Sequence, residues 1–236
     1  MNRNLATPRF LDALRYATEL HGSDTRKSSQ VPYLAHLLGV CALVLADKGT
    51  EVEAIAALLH DVLEDHPDIT SPEEIAQRYG LDVLELVESC TDTPPDYRGG
   101  PKPPWRARKE AYLAHLEVAT ESARRIALAD NLDNLRSMMA DFQMAGDALW
   151  SRFNAGRDEQ VWFFAALREL FRRAAARVRP HRFRVHSGLR WRLTAACSGR
   201  RWLATPLGLL ITTEEFKSKK RPLATLEMSP RWSVSC

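Results

Sequence analysis

The stretch that decides the fold is Ala56–Thr70, AALLHDVLEDHPDIT. It is an apolar helical run into which His60, Asp61, Glu64, Asp65 and His66 are set. Thr50 with Glu53 is a capping-box signature just upstream, so the pattern predicts one helix that opens there, runs through Asp65 and stops at His66-Pro67. At about 3.6 residues per turn, His60 and Glu64 lie one turn apart, as do Asp61 and Asp65. Asp61 and Glu64 are also neighbours, so the polar groups share a side while Ala56, Leu59, Val62 and Leu63 pack elsewhere. Carboxylates buried without partners are strongly unfavourable, and this side of the helix therefore needs a cation or water.

Outward from this stretch the chain reads as helix after helix. Thr7-Pro8 caps a first helix with Phe10, Leu11, Leu14, Ala17 and Leu20 on one side. PYLAHLLGVCALVLAD, from Pro32 to Asp47, is a second and largely buried one. Ser71-Pro72-Glu73-Glu74 opens a short helix that ends at Gly80, and LDVLELVESCTD follows it. TPPDYRGGPKPP, from Thr93 to Pro104, cannot be helix or central strand. Helical patterns resume at Trp105, at Glu121 and at Asp158, the last closing in arginines that suit a helix carboxyl end. No convincing alternation with a period of two occurs before residue 180, so the body is expected to be all-α.

The preceding helix carries His36 inside an apolar run, and a later one carries Asp130 in IALADNLDNL. A lone helix histidine is ordinarily a hydrogen-bonded core residue, and a lone His-Asp pair is ordinarily accidental. Together, two imidazoles and two carboxylates on three helices compose a divalent-metal shell. The mixed nitrogen and oxygen donors suit Mn, Fe, Zn or Co better than Mg or Ca.

A histidine, then His-Asp one helix-turn-helix later, then an aspartate beyond a long gap resembles the HD-domain metallophosphohydrolases. TRKSSQVPYLAH, ALLHDVLED and ALADNLDNLRSM are similar to the hydrolase domain of RelA/SpoT-type proteins and to stand-alone small alarmone hydrolases, over about residues 8 to 175. The resemblance implies an all-α helical bundle, a single HD domain, holding one Mn²⁺ through His36, His60, Asp61 and Asp130. It assigns Glu64 and Asp65 to activating and positioning the attacking water, and Arg26, Lys27 and Asn134 to the nucleotide. The implied reaction removes the 3′-pyrophosphate of guanosine tetra- or pentaphosphate. A related hydrolase acting on NADPH or a deoxynucleotide is the alternative. Ser28 stands where the family usually has an acidic residue, and the proline loop departs from the family pattern.

Other basic and aromatic residues read more plainly. Arg106, Arg108 and Lys109 follow the proline loop and are candidates for phosphate, with solvated surface charge as the ordinary reading. Arg136 reads as an ion-pair partner and His66 as surface. Trp105, Trp150, Trp162, Phe163 and Phe164 read as core rather than as base-stacking residues, and Tyr33 either reaches the pocket or packs.

The chain has 236 residues, 45% hydrophobic and 27% charged, enough for one good core. Its net charge of +3 is unevenly spread: residues 178–236 hold 12 Lys+Arg against 3 Asp+Glu, which leaves −6 on the first 177. The expected organisation is an HD domain over 1–178 and a basic tail over 179–236, disordered or loosely packed. A nucleic-acid role through that tail is the rival from another class, although the acidic body does not favour it. Cys41, Cys90, Cys197 and Cys236 form no CxxC pair, and the amino terminus is polar, so a reducing, cytoplasmic setting is expected. No apolar run is long enough to span a bilayer, so no membrane partner is expected. The sequence carries no signal for an oligomeric state.

Overall fold

Residues 7–26, 29–92 and 102–177 are described by the computed structural model, together with the backbone of 202–204 and 210–212. The chain divides into two units, Met1–Val178 and Arg179–Cys236. The body is all-α. Helix α1 spans Pro8–His21, and its Thr7 hydroxyl accepts the Phe10 N–H at 3.1 Å. Its buried face is Ala13, Tyr16, Ala17 and His21, with Phe10, Leu14 and Leu20 at the margins. Leu11, expected on that face, is 52% exposed. At about 100° per residue it lies roughly 140° from the centre of the stripe, so it looks outward.

The loop after α1 folds back on itself. Arg26 N–H bonds to Val31 and Tyr33 N–H to Asp24, at 3.0 and 2.8 Å. This carries Arg26 and Tyr33 to the start of α2, Leu34–Ala46. Helix α3, Glu51–Leu59, opens on the complete Thr50–Glu53 capping box. Ala54 to Leu59 are fully buried, which makes α3 the central helix, packed on α1, α2, α6 and α8.

The expected single helix through Asp65 is interrupted. It stops at Leu59, and a separate turn, α4, spans Val62–Asp65. The cause is local. His60 Nδ1 donates to Ala57 O at 2.9 Å, the carbonyl that Asp61 N–H would use in a continuing helix.

Helices α5 (Pro72–Tyr79) and α6 (Leu81–Glu88) meet at Gly80, whose φ of 88° is readily open only to glycine. Helix α7 is Trp105–Val118, α8 is Glu121–Ala145 and α9 is Arg157–Arg177, with a 3-10 turn at Gly146–Arg152 before α9. One apolar core joins α1 to α6 with Ala123, Ile126 and Ala129 of α8. A second joins α7, α8 and α9 around Tyr112, Leu116, Phe163, Leu167 and Leu170. Trp105, Trp162, Phe163 and Phe164 belong to this second cluster, and Trp150 packs on Phe142 with centroids 5.6 Å apart.

In the second unit, β1 (Trp202–Ala204) and β2 (Leu210–Thr212) pair antiparallel, with Leu203 opposite Ile211. The sequence showed no strand there, because three residues are too few to display alternation. The remainder of the basic tail lies outside the described residues. Among the described residues no helix is long and apolar enough to cross a membrane.

Candidate metal centre

Three helices converge on one point. Helix α2 supplies His36, the end of α3 supplies His60 and Asp61, and α8 supplies Asp130. His36 Nε2 lies 3.3 Å from Asp130 Oδ1 and 3.7 Å from Asp61 Oδ2. His60 Nε2 lies 3.0 Å from Asp61 Oδ2 and 3.6 Å from Asp130 Oδ1. His36, His60 and Asp130 each offer a ligand atom, all within 4.8 Å of one another.

The partners of the outer ring nitrogens set the tautomers. His60 Nδ1 must donate, because Ala57 O can only accept. His36 Nδ1 faces the Asp133 carboxylate at 2.7 Å. Both Nε2 atoms therefore present lone pairs to Asp61 and Asp130 when the rings are neutral. His60 Nε2 is buried and has no hydrogen-bond partner among the described residues. A buried polar atom left in that state calls for an explanation, and an ion at this point provides one. The donor set fits a divalent cation.

Charges in the cluster hold one another. Burial alone would lower the pKa of His60, but Asp61 and Asp130 push it well above its usual value. His36 is raised against its burial by Asp130 and Asp133. Asp61 and Asp130 are lowered despite burial, chiefly by the two histidines. Tyr33 is held far above the usual phenol range by its burial and by the Asp61 charge, so its hydroxyl stays protonated and donates to Asp61 Oδ2.

A hydrogen-bonded frame surrounds the cluster. Arg26 spans Asp133 Oδ2 and Asn134 Oδ1 at 3.2 and 2.7 Å, and Asn134 Nδ2 donates to Asp130 Oδ1 at 2.6 Å. Arg26 and Asn134, read as nucleotide contacts, thus also orient Asp130 and the Asp133 partner of His36. Gly39 makes this frame possible: a Cβ there would stand 2.6 Å from Asp133 Oδ1. Lys27 and Ser28 lie outside the described residues, as does the proline loop from 93 to 101.

Glu64 and Asp65 of the acidic pair make contacts of their own. Glu64 N–H bonds to Asp61 O at 3.1 Å. Its carboxylate is 2.6 Å from Lys102 Nζ and accepts from Thr91 Oγ1 at 3.3 Å. Asp65 is exposed, and its charge reaches Tyr33. The second basic group is paired within the protein. Arg108 and Lys109 hold Asp92, while Arg106 pairs with Glu110 and Glu159 and lies over Trp162 at 3.3 Å. Arg136, read as an ion-pair partner, instead buries Nη2 with no hydrogen-bond partner among the described residues.

Sequence reasoning missed Asp133 and Lys102. Asp133 lies three residues after Asp130 and so falls on the same face of α8, a signal that was available. Lys102 reaches Glu64 from the end of the proline loop, and no spacing announces it. His66, read as surface, is half-buried and lies 3.0 Å from Asp24 Oδ2.

A family model described as the HD domain matches residues 13–161. The chain belongs to the HD-domain family. It is 36% identical over 132 residues to the guanosine-3′,5′-bis(diphosphate) 3′-pyrophosphohydrolase MESH1 of Xenopus tropicalis, covering 55% of this chain and 69% of that one. It is 38% identical over 130 residues to the guanosine-3′,5′-bis(diphosphate) 3′-pyrophosphohydrolase of Aquifex aeolicus, covering 53% of this chain but 17% of the larger relative. A solved structure described as a metazoan ortholog of SpoT that hydrolyzes ppGpp superposes with a TM-score of 0.50 at 25% identity, covering 71% of this chain and 96% of that one.

Proposed function

We propose that this HD domain is a metal-dependent hydrolase that removes the 3′-pyrophosphate of guanosine-3′,5′-bis(diphosphate), leaving GDP, and of the pentaphosphate, leaving GTP. The observation that carries the reading is the convergence of two buried imidazoles, through Nε2, on two half-buried carboxylates, in a chain whose relatives bear that activity in their names. His36, His60, Asp61 and Asp130 hold the ion; the mixed donors suit Mn, Fe, Zn or Co, and Mn²⁺ is the one the family resemblance implies. When bound, a divalent ion polarises a phosphoryl oxygen and lowers the pKa of water.

The chain's own residues do the rest. Glu64 accepts the proton of the attacking water, and Asp65 orients that water. Lys102 Nζ, 2.6 Å from Glu64 Oε1, aims that carboxylate and sets an ammonium beside it for a phosphate oxygen to use. Arg26 keeps donors to spare beyond Asp133 and Asn134 for the nucleotide, with Lys27 beside it in the chain. Asn134 presents its amide to the sugar while restraining Asp130. Asp133 fixes the His36 tautomer. The free thiols of Cys41 and Cys90 suit a reducing cytoplasm.

The test is chromatography of products from Mn²⁺-loaded protein given guanosine tetraphosphate, guanosine pentaphosphate, NADPH and deoxynucleotides. GDP and GTP from the first two, with the others untouched, is the expected result. Turnover of NADPH or a deoxynucleotide alone refutes the substrate assignment while leaving the metal centre standing.

A further inference from the structure

A second group of ligand atoms lies outside the centre just described. His21 ends α1, Asp24 follows in the loop, and His66 directly follows α4. Asp24 Oδ2 is 3.0 Å from His21 Nδ1 and 3.0 Å from His66 Nε2, and the two nitrogens are 3.2 Å apart. The three atoms form a nearly equilateral triangle. Bonds of about 2.0–2.1 Å to a tetrahedral ion place neighbouring donors roughly 3.3–3.4 Å apart, and octahedral bonds of the same length place them roughly 2.8–3.0 Å apart. The observed edges lie between these values, so the triangle is the size of one face of a transition-metal polyhedron.

Hydrogen bonding alone satisfies this group poorly. If both rings donate to Asp24, two N–H groups face each other across 3.2 Å. If one ring donates to the other, its partner loses the carboxylate. His21 is 1% exposed, and its outer Nε2 has no hydrogen-bond partner among the described residues, so the inward Nδ1 carries all of its visible pairing. The Asp24 side chain is 36% exposed, which gives an ion a way in.

We propose that His21, Asp24 and His66 form a second divalent-metal site, for an ion of the zinc class, separate from the His36–His60–Asp130 centre. Two imidazoles and one carboxylate suit Zn²⁺ or Co²⁺ over Mg²⁺ or Ca²⁺. Its place in the fold indicates its work. The ion clamps the loop that carries Arg26 to the turn that ends in Glu64 and Asp65. It sits one ring away from the first centre, because His21 stacks on Tyr33 at 5.0 Å and Tyr33 donates to Asp61.

The test is a count of ions. Metal-free full-length protein is saturated with Co²⁺, desalted and analysed for bound cobalt, with the visible cobalt spectrum recorded in parallel. The expected result is about two ions on the native chain and about one on His66→Gln and on Asp24→Asn, with the loss of one component of the spectrum. Circular dichroism of the metal-free variants establishes that they are folded. Both positions are partly exposed, so either variant alone suffices. One ion on the native chain, or two on either folded variant, overturns the second site. The readout is occupancy, so this result stands apart from whether any nucleotide is hydrolysed.

Discussion

Replacing Gly39 by alanine should loosen the metal centre without unfolding the protein. Gly39 sits inside α2, where glycine is about 1 kcal/mol less favourable than alanine, so on backbone grounds the change stabilises. The new methyl would nevertheless stand 2.6 Å from Asp133 Oδ1 and 3.2 Å from its Cγ. Helix α2 is packed on α3 and α8, so the carboxylate must retreat, by roughly 0.8 Å to reach ordinary contact. The other oxygen of that carboxylate, Oδ2, receives His36 Nδ1 at 2.7 Å and Arg26 at 3.2 Å, and the retreat stretches both bonds. Losing the carboxylate behind a ligating histidine typically lowers metal affinity about 10–100-fold, or about 1.4–2.8 kcal/mol. Calorimetric titration of Mn²⁺ into metal-free Gly39→Ala should show that loss, while its thermal melt stays within about 2 kcal/mol of native because the helix gain offsets the lost hydrogen bond. Asp133→Asn should reproduce the weaker binding without touching α2. Native affinity in both variants would refute the role given to Asp133.

Three further outcomes follow from the same geometry. Glu64→Gln should cut kcat by about 10²–10⁴-fold with Mn²⁺ affinity unchanged; a parallel fall in metal affinity would make Glu64 a ligand instead of a base. Arg26→Lys should raise KM and weaken Mn²⁺ binding together, since an ammonium cannot fork across Asp133 and Asn134 as the guanidinium does; an unchanged KM would remove Arg26 from the substrate site. Glu53 is a buried carboxyl whose pKa burial would raise, yet the Thr50 backbone bond and Arg125 draw it below its usual 4.5. A depressed folded pKa gives stability that is present above about pH 4.5 and lost as pH falls through the folded value. Urea unfolding of Glu53→Gln should show a cost of about 1–3 kcal/mol at pH 7 that shrinks toward pH 3, and a cost independent of pH would contradict this.

Much of the fold was legible because helix starts are local chemistry. Thr7-Pro8, Thr50-Glu53 and Ser71-Pro72 cap helices within a few residues of themselves, and the structure begins α1, α3 and α5 there. The interruption at His60 was not legible, because it depends on one ring nitrogen reaching the Ala57 carbonyl. Leu11 was misplaced because an apolar residue beside a stripe looks like part of it until the angle is worked out. In the site, the order His36, His60-Asp61, Asp130 was readable as donor types in apolar surroundings. The frame behind it was less so. Asp133 reads as an ordinary helix acid until Gly39 is seen to admit it, and Lys102 meets Glu64 only through the path of a loop. His66 was read as surface because its partners, His21 and Asp24, lie more than forty positions earlier in the chain.

The most direct test of the metal centre is the rate of GDP release from guanosine tetraphosphate as metal-free protein is titrated with Mn²⁺, run beside Asp130→Asn. The expected result is a rate that starts near zero, rises with occupancy and yields GDP and pyrophosphate in equal amounts, with the variant silent across the titration. A native protein that binds Mn²⁺ and releases no GDP, or an Asp130→Asn variant that matches it, would contradict the assignment.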